Sequence, residues 1–207
     1  MNSSLFLDMD GTLVNSQMRL YKLFCMLCRE CKMTYSEYWS IKRQRISQAE
    51  MLKTYFGYND EMAESFHKAW LERVEDEVLL EDDFPIEGIT ERLESLSKRH
   101  TLYLLTARQN SGSVKRQICN FGWNNLFREL IVTHRASGKC EAVRRAVGMV
   151  SQGVVIGDTG EDIKTAKELG LKSIAVGWGI LSPAILIQYN PDFLAERIED
   201  LDNCPFL

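Results

Sequence analysis

Short apolar segments alternate with longer amphipathic segments in the part of the chain that follows residue 83. The buried strands predicted from this pattern, together with one near the N-terminus, are 3–7, 101–105, 130–132, 153–156, 172–176 and the edge strand 193–194. The predicted helices include 86–98, 111–120, 139–147 and 195–201. Apolar strands that alternate with helices are typical of a parallel sheet covered on both faces, so the pattern predicts an α/β fold.

The segment between the first strand and residue 84 has helical periodicity and no clear strand. Its first apolar positions at helical spacing are Leu20, Leu23, Phe24, Leu27 and Cys31. They predict a single helix that continues to Cys31, and further helices are predicted at 35–44, 48–55 and 61–80. The sequence thus predicts two domains, a core of residues 1–15 and 84–207 and an inserted helical domain of residues 16–83.

Composition narrows the classes of protein that are possible. The chain has 207 residues, of which 45% are hydrophobic and 26% charged, which is ordinary for a globular protein with a buried core. A net charge of -4 and the lack of a long basic patch argue against a nucleic-acid partner. No apolar run approaches the ~20 residues of a membrane span, and no export signal precedes the first strand. We therefore expect a cytoplasmic protein, monomeric or homodimeric, that binds neither membranes nor nucleic acids.

Three of the six cysteines form a C-x-x-C-x-x-C run, Cys25, Cys28 and Cys31. This spacing could indicate an iron–sulfur or zinc site. No fourth cysteine follows at cluster spacing, however, and no turn residue opens a ligand loop. Because residues three apart share one face of a helix, we predict that these side chains pack in the core as free thiols.

Polar side chains follow the predicted strands where each one ends. Asp8 and Asp10 follow the first strand at i and i+2, which places both side chains on one face of an extended chain. Two close carboxylates need a compensating cation or a shared proton. Thr106 ends the next strand, Asp158 follows the strand at 153–156, and Asp162 comes four residues later. Ligands of open α/β sheets bind at the carboxyl ends of the strands, so these groups are predicted to converge there with Lys139.

The order of these motifs resembles the haloacid dehalogenase-like (HAD) superfamily. Asp8-Met9-Asp10-Gly11-Thr12-Leu13-Val14 is similar to its first motif, D-x-D-G-T-L/V. Thr106 is similar to the Ser or Thr of the second, and Gly157-Asp158-Thr159-Gly160-Glu161-Asp162 to the fourth, G-D-[ST]-x-x-D. Lys139 fits the third motif by position alone, because Cys140 stands where a proline is often found. The nearest subgroup is phosphoglycolate-phosphatase-like.

The resemblance implies a three-layer Rossmann-like core and an inserted helical cap, residues 16–83. It implies a magnesium-dependent phosphatase that acts on a small phosphorylated metabolite, similar to phosphoglycolate or a sugar phosphate. Asp8 would be the nucleophile that forms an aspartyl-phosphate, and Asp10 would be the general acid and base. Mg²⁺ would take oxygens from Asp8, the backbone carbonyl of Asp10 and Asp158. Asp162 would hold a metal-bound water or orient Lys139.

The remaining implied roles concern the substrate. Thr106 and Lys139 would act on the phosphoryl oxygens during catalysis, and the backbone N–H groups of Gly11 and Ala107 would help to bind them. Arg108 is either a substrate contact or a surface arginine. In the predicted cap, Arg43 and Arg45 are basic candidates for an anionic substrate, although charged runs on helices are more often solvated faces.

Two other readings stay open at this stage. A phosphosugar mutase of the same fold also needs Asp8 and Asp10, and a non-catalytic binding protein could retain the fold. A dehalogenase is disfavoured, because it needs neither a metal nor an acid at position 10. A phosphonatase is disfavoured because it needs a cap lysine and usually lacks that acid.

Overall fold

The computed structural model describes residues 3–133 and 138–207. The chain divides into two compact units. Residues 1–15 and 84–207 form the first, here called the core unit, and residues 16–83 form the second, here called the helical unit. Whether the helical unit acts as a cap over a substrate stays a prediction.

The core unit is built on a parallel sheet. Within the described residues the sheet has six strands in the order β5-β4-β1-β6-β7-β8. A second, two-stranded antiparallel sheet joins β2 to β3. The strands are β1 (Ser4–Leu7), β2 (Val14–Asn15), β3 (Phe84–Pro85), β4 (Thr101–Thr106), β5 (Phe127–Val132), β6 (Gly153–Gly157), β7 (Lys172–Val176) and β8 (Phe193–Ala195). The predicted α/β fold with a parallel sheet is confirmed.

Helices pair with strands in the core unit and make up the regular structure of the helical unit. In the helical unit they are α1 (Gln17–Leu27), α2 (Tyr35–Lys42), α3 (Gln48–Phe56), α4 (Asp60–Arg73) and α5 (Glu77–Leu80). In the core unit they are α6 (Ile89–Ser97), α7 (Ser111–Asn120), α8 (Lys139–Val147), α9 (Gly160–Leu169) and α10 (Pro183–Leu186). No helix in the described part of the chain is both long enough and apolar enough to span a membrane.

Successive side chains of the central strand explain the three layers. Leu5 and Leu7 of β1 point to the face that packs against α6 and α7, where Leu93 and Val114 are fully buried. Phe6, between them, points to the opposite face and packs in a cluster with Val143 of α8 and Ala166 of α9. Because side chains alternate along a strand, an apolar strand without polar positions must be covered on both faces.

The structure corrects several predicted boundaries. The helix predicted to reach Cys31 ends at Leu27, and the one predicted for 61–80 is broken into α4 and α5. The helix predicted for 195–201 is instead the end of β8 followed by a 3-10 helix, Ile198–Asn203. No Gly or Pro stands at either break inside the helical unit, which is why the periodicity alone missed them.

The helical unit has its own core, in which several aromatic side chains cluster around Phe24. The ring of Phe24 in α1 lies 5.0 Å from Tyr38, 5.8 Å from Phe56 and 5.5 Å from Phe66, centroid to centroid. A buried ion pair joins the two ends of the unit, since Nε of Arg19 donates to Oδ1 of Asp83 at 2.8 Å. The same guanidinium donates to the carbonyl of Val74 at 2.6 Å. The segment therefore closes on itself as one packed body.

Candidate active site

The carboxyl edge of the sheet carries the predicted polar groups. Asp8 directly follows β1, and its backbone N–H donates to the carbonyl of Ile156 in β6 at 2.9 Å. Asp158 directly follows β6, and Thr106 ends β4 on the other side of β1. Leu7 pairs with both Leu104 and Ile156, so the three strands end at nearly the same level. The parallel register is what brings residues distant in sequence to one place.

Lys139 links two of the carboxylates. It is the first residue of α8, and its ammonium donates to Oδ1 of Asp8 and to Oδ1 of Asp162, both at 2.6 Å. All three side chains are buried, with exposures of 4% for the lysine, 9% for Asp8 and 2% for Asp162. The position assigned to the third motif therefore lies beside the predicted nucleophile.

Asp162 is oriented by the first turn of its own helix. Its Oδ2 accepts from the backbone N–H of Thr159 at 3.1 Å and from the Thr159 hydroxyl at 2.6 Å. These bonds satisfy one oxygen at the helix start, where a carboxylate is also favoured by the helix dipole. The other oxygen accepts from the ammonium of Lys139. The carboxylate therefore both caps its own helix and holds the lysine that contacts Asp8.

Asp158 lies in a space that two glycines keep open. Its Oδ2 accepts from the backbone N–H of Ile180 at 2.5 Å, and its Oδ1 accepts from the Thr12 hydroxyl at 3.3 Å. A Cβ at Gly11 or at Gly179 would overlap the Asp158 side chain. Gly11 also has φ 83, a conformation that other residues adopt only with strain. The loop after the first motif and the loop after β7 thus enclose the carboxylate.

Burial dominates the electrostatics of the cluster. It raises the pKa of Asp8 well above the ordinary value, although Lys139 opposes the shift. It raises the pKa of Asp158 to about 7, with repulsion from Asp162 adding to the effect. For Lys139, burial lowers the pKa, but Asp162 and Asp8 outweigh it and the net shift is upward. One buried ammonium does not compensate three buried carboxylates, so the cluster favours either a proton or a further cation.

The donor set fits a divalent oxygen-binding cation. One oxygen from each of Asp8, Asp158 and Asp162 lies within 4.8 Å of the others, and all three residues are buried. Mg²⁺ and Ca²⁺ take oxygen ligands, and carboxylates carry the charge that these ions require. The carboxylate of Asp10 is outside this group, and the predicted metal contact of its backbone carbonyl stays a prediction.

Asp10 is instead held by Arg108. Nε and Nη2 of the arginine donate to the two carboxylate oxygens of Asp10, both at 2.7 Å. The guanidinium is buried, and its Nη1 donates to Oε1 of Gln117 in α7. Arg108 is therefore not a surface arginine, and its predicted contact with a substrate stays a prediction. Two-point contact of this kind fixes both the position and the plane of a carboxylate.

The other residues predicted to contact a substrate lie at the end of β4 and in the helical unit. Thr106 is buried, and its hydroxyl accepts from the backbone N–H of Arg108 at 3.3 Å. Ala107 is exposed between them. Arg43 directly follows α2 as its C-cap residue and is half-buried, and Arg45 is exposed with φ 69. Both arginines belong to the helical unit, and their role toward a substrate stays a prediction.

Sequence reasoning missed several residues that build this site. Gln117 lies in no motif, yet it holds Arg108. Thr12 belongs to the first motif but has no predicted role, and its hydroxyl contacts Asp158. Gly179 gave a weak signal, because a loop glycine after a buried strand often marks a close approach of backbone to a functional group.

The comparisons with known proteins agree with this geometry. A sequence model of the haloacid dehalogenase-like hydrolases matches residues 5–176, which includes most of β1, all of β4 and β6 and the residues that follow these strands. The chain belongs to the haloacid dehalogenase-like hydrolase family. The resemblance inferred from the motifs is thereby confirmed, and the protein is an enzyme of the hydrolase class.

Individual relatives are distant in sequence but similar over their whole length. Pyrophosphatase PpaX of Listeria monocytogenes is 23% identical over 219 residues, covering 96% of this chain and 94% of that protein. A haloacid dehalogenase-like hydrolase from Streptococcus pneumoniae has a TM-score of 0.80 at 21% identity, covering 98% of both chains. A predicted phosphoglycolate phosphatase from Haemophilus somnus has a TM-score of 0.73 at 18% identity, covering 98% and 97%. These likenesses to solved structures support the fold.

Proposed function

We propose that the protein is a magnesium-dependent phosphatase that hydrolyses a small phosphorylated substrate through an aspartyl-phosphate on Asp8. The observation that carries the proposal is the buried cluster in which Lys139 contacts Asp8 and Asp162 while Asp158 completes a three-carboxylate group. Each member has a distinct use in phosphoryl transfer, whereas a dehalogenase would need neither the metal ligands nor an acid at position 10.

Asp8 is the group that attacks phosphorus. Lys139 contacts its Oδ1, so Oδ2 is the oxygen that forms the bond in this proposal. Lys139 also supplies positive charge to the phosphoryl oxygens, and the hydroxyl of Thr106 donates to one of them. Asp8 and Asp158 would hold Mg²⁺, with Asp162 as the third carboxylate of the group, and the ion would neutralise charge on the phosphate. Burial excludes water, which strengthens each of these interactions.

Asp10 serves the leaving group and the second step. As a general acid it donates a proton to the departing oxygen, and as a base it takes one from the water that hydrolyses the aspartyl-phosphate. Arg108 keeps its carboxylate in a fixed plane, so substrate binding has to admit the leaving oxygen to that carboxylate or displace the guanidinium.

The substrate class is inferred from the names of the relatives. The relatives named pyrophosphatase cover nearly the whole chain and favour inorganic pyrophosphate as one candidate. A structure named a predicted phosphoglycolate phosphatase favours a small phosphorylated acid as another. Both are compact, multiply charged anions, and we propose this class rather than a large or apolar phosphate ester. Arg43 and Arg45 are the proposed cap residues that contact such an anion.

The test is phosphate release from a panel that includes pyrophosphate, phosphoglycolate and hexose phosphates. We expect turnover with Mg²⁺, loss with a chelator, and recovery when Mg²⁺ is restored. Asp8→Asn should abolish turnover, whereas Asp202→Asn, which removes an exposed partner of Arg92, should not change it. Full activity of the chelated protein would contradict the metal's role. With a hexose 1-phosphate, formation of the 6-phosphate without phosphate release would favour the mutase alternative.

A further inference from the structure

The sequence pattern predicts that Cys25, Cys28 and Cys31 share one face of a single helix. In the structure they do not, because the helix ends before Cys28. Helix α1 ends at Leu27, where the N–H of Cys28 still donates to the carbonyl of Phe24 at 2.8 Å. The chain then turns, and the N–H of Cys31 donates to the carbonyl of Cys28 at 2.9 Å. This turn carries Cys31 back along α1, and Sγ of Cys25 comes within 3.6 Å of Sγ of Cys31.

Cys28 is separated from this pair by the same turn. Its side chain is fully buried, and its thiol interacts with the hydroxyl of Tyr58 rather than with Cys25. Cys25 and Cys31 are both only partly buried, so a small reagent can reach them. The middle cysteine of the run is thus a core residue, and the outer two form a pair.

We infer that Cys25 and Cys31 are a reversible dithiol–disulfide site that exchanges with small-molecule disulfides. A thiolate of one cysteine attacks the disulfide, forms a mixed disulfide and releases one small thiol. The second cysteine then attacks the mixed disulfide and releases the other thiol. Two thiol hydrogens and two electrons pass to the small disulfide, so one protein S–S bond replaces one small-molecule S–S bond.

The distance to be closed is short. A disulfide needs sulfur atoms at about 2.05 Å, so the two sulfurs, which lie 3.6 Å apart, have only a short way to approach each other. Tyr21, which also interacts with Cys25, donates its hydroxyl to the carbonyl of Met33 at 2.7 Å and so ties the segment after Cys31 to α1. Burial raises the pKa of Cys31 to about 11, so only a small fraction of this thiol is ionised near neutral pH. Exchange is therefore expected to be slow.

The experiment uses the full-length chain in mixtures of reduced and oxidised glutathione, incubated to equilibrium at mildly alkaline pH. The samples are acid-quenched, alkylated and digested with trypsin. Cleavage after Lys22, Arg29 and Lys32 yields one peptide with Cys25 and Cys28 and a separate peptide with Cys31. A disulfide to Cys31 therefore joins two peptides and lowers their summed mass by two hydrogens.

We expect the joined peptides in the wild type and in Cys28→Ser, and their absence in Cys25→Ser and Cys31→Ser. Pairing to Cys25 should exceed pairing to Cys28 by at least about tenfold, since thiol–disulfide exchange depends on access between the sulfurs. Exposed Cys119 provides a reference for ordinary glutathionylation. As a second readout, phenylarsine oxide, which bridges paired thiols, should bind wild type and Cys28→Ser but not Cys31→Ser.

Two results would overturn the inference. One is a protein that forms only mixed disulfides with glutathione at Cys25 and Cys31 and no joined peptides. The other is a joined pair that contains Cys28 in preference to Cys25. The phosphatase proposal does not enter either readout, so the two can fail separately.

Discussion

Replacing Lys139 by methionine removes the ammonium that contacts Asp8 and Asp162 at 2.6 Å each and leaves a side chain of similar length. Lys139, Asp8 and Asp162 are all buried, so water cannot take the place of the lost contacts. Removing one partner of a buried ion pair typically costs about 3–5 kcal/mol, because an uncompensated charge remains in the interior. We therefore expect the metal-free variant to lose about that much free energy of unfolding.

Lys172→Met is the matched control in the same unit. Its ammonium lies 2.7 Å from Asp192, but the side chain is 55% exposed, and exposed pairs contribute at most about 1 kcal/mol. Urea unfolding in the presence of a chelator measures both variants, with far-UV circular dichroism as the signal. Added Mg²⁺ should reduce the difference in free energy of unfolding between Lys139→Met and wild type, here called the stability gap, because the ion supplies the missing positive charge.

The pH dependence of this stability gap between Lys139→Met and wild type provides an independent check. Lys139 lowers the pKa values of Asp8 and Asp158 in the folded state, so without its ammonium these two pKa values rise further above their unfolded values. Stability from such groups is present below the unfolded pKa, about 4, and is lost as pH rises through the folded pKa. The gap should therefore be larger at pH 7.5 than at pH 5. A loss no greater than that of Lys172→Met, or one equal at both pH values, would refute the reasoning.

The remaining predictions concern Asp10, Gly179 and Asp158. Asp10→Asn should slow hydrolysis of an alkyl phosphate by roughly 10²–10⁴, measured as kcat, with a smaller effect on an aryl phosphate whose leaving group needs no proton. Gly179→Ala should weaken Mg²⁺ binding in calorimetry, because its Cβ would overlap Asp158; unchanged affinity would refute this. In metal-free protein, Asp158 should contribute stability at low pH that is lost as pH rises through about 7, and thermal melts with Mg²⁺ should lack this loss.

The parallel sheet could be predicted because its strands carry a local signal. Apolar runs such as Leu102–Leu105 end at a polar residue, and the register of a parallel sheet then fixes which ends meet. That is why the sequence alone places Asp8, Asp158 and Thr106 at one edge of the sheet. Lys139 was found by its position in the order of motifs, and the structure brings it against Asp8.

The parts that could not be predicted depend on long-range contacts or on unmarked breaks. The pairing of Arg108 with Asp10 joins residues 98 positions apart, and nothing near either residue announces it. The end of α1 at Leu27 has no Gly or Pro, so periodicity carried the predicted helix too far and hid the contact of Cys25 with Cys31. Roles that depend on a substrate, above all those of Arg43 and Arg45, stay predictions because they are defined by contacts with another molecule.

The central claim is that Asp8 becomes phosphorylated, and rapid acid quenching during turnover with Mg²⁺ tests it most directly. Borohydride reduces an acyl phosphate to the alcohol, so a phosphorylated Asp8 is converted to homoserine in the peptide that contains it. We predict homoserine at position 8 in the wild type when substrate is present, more of it in Asp10→Asn if the second step is slowed, and none in Asp8→Asn. Turnover of wild-type protein with position 8 unmodified, or with the label on another carboxylate, would contradict the account.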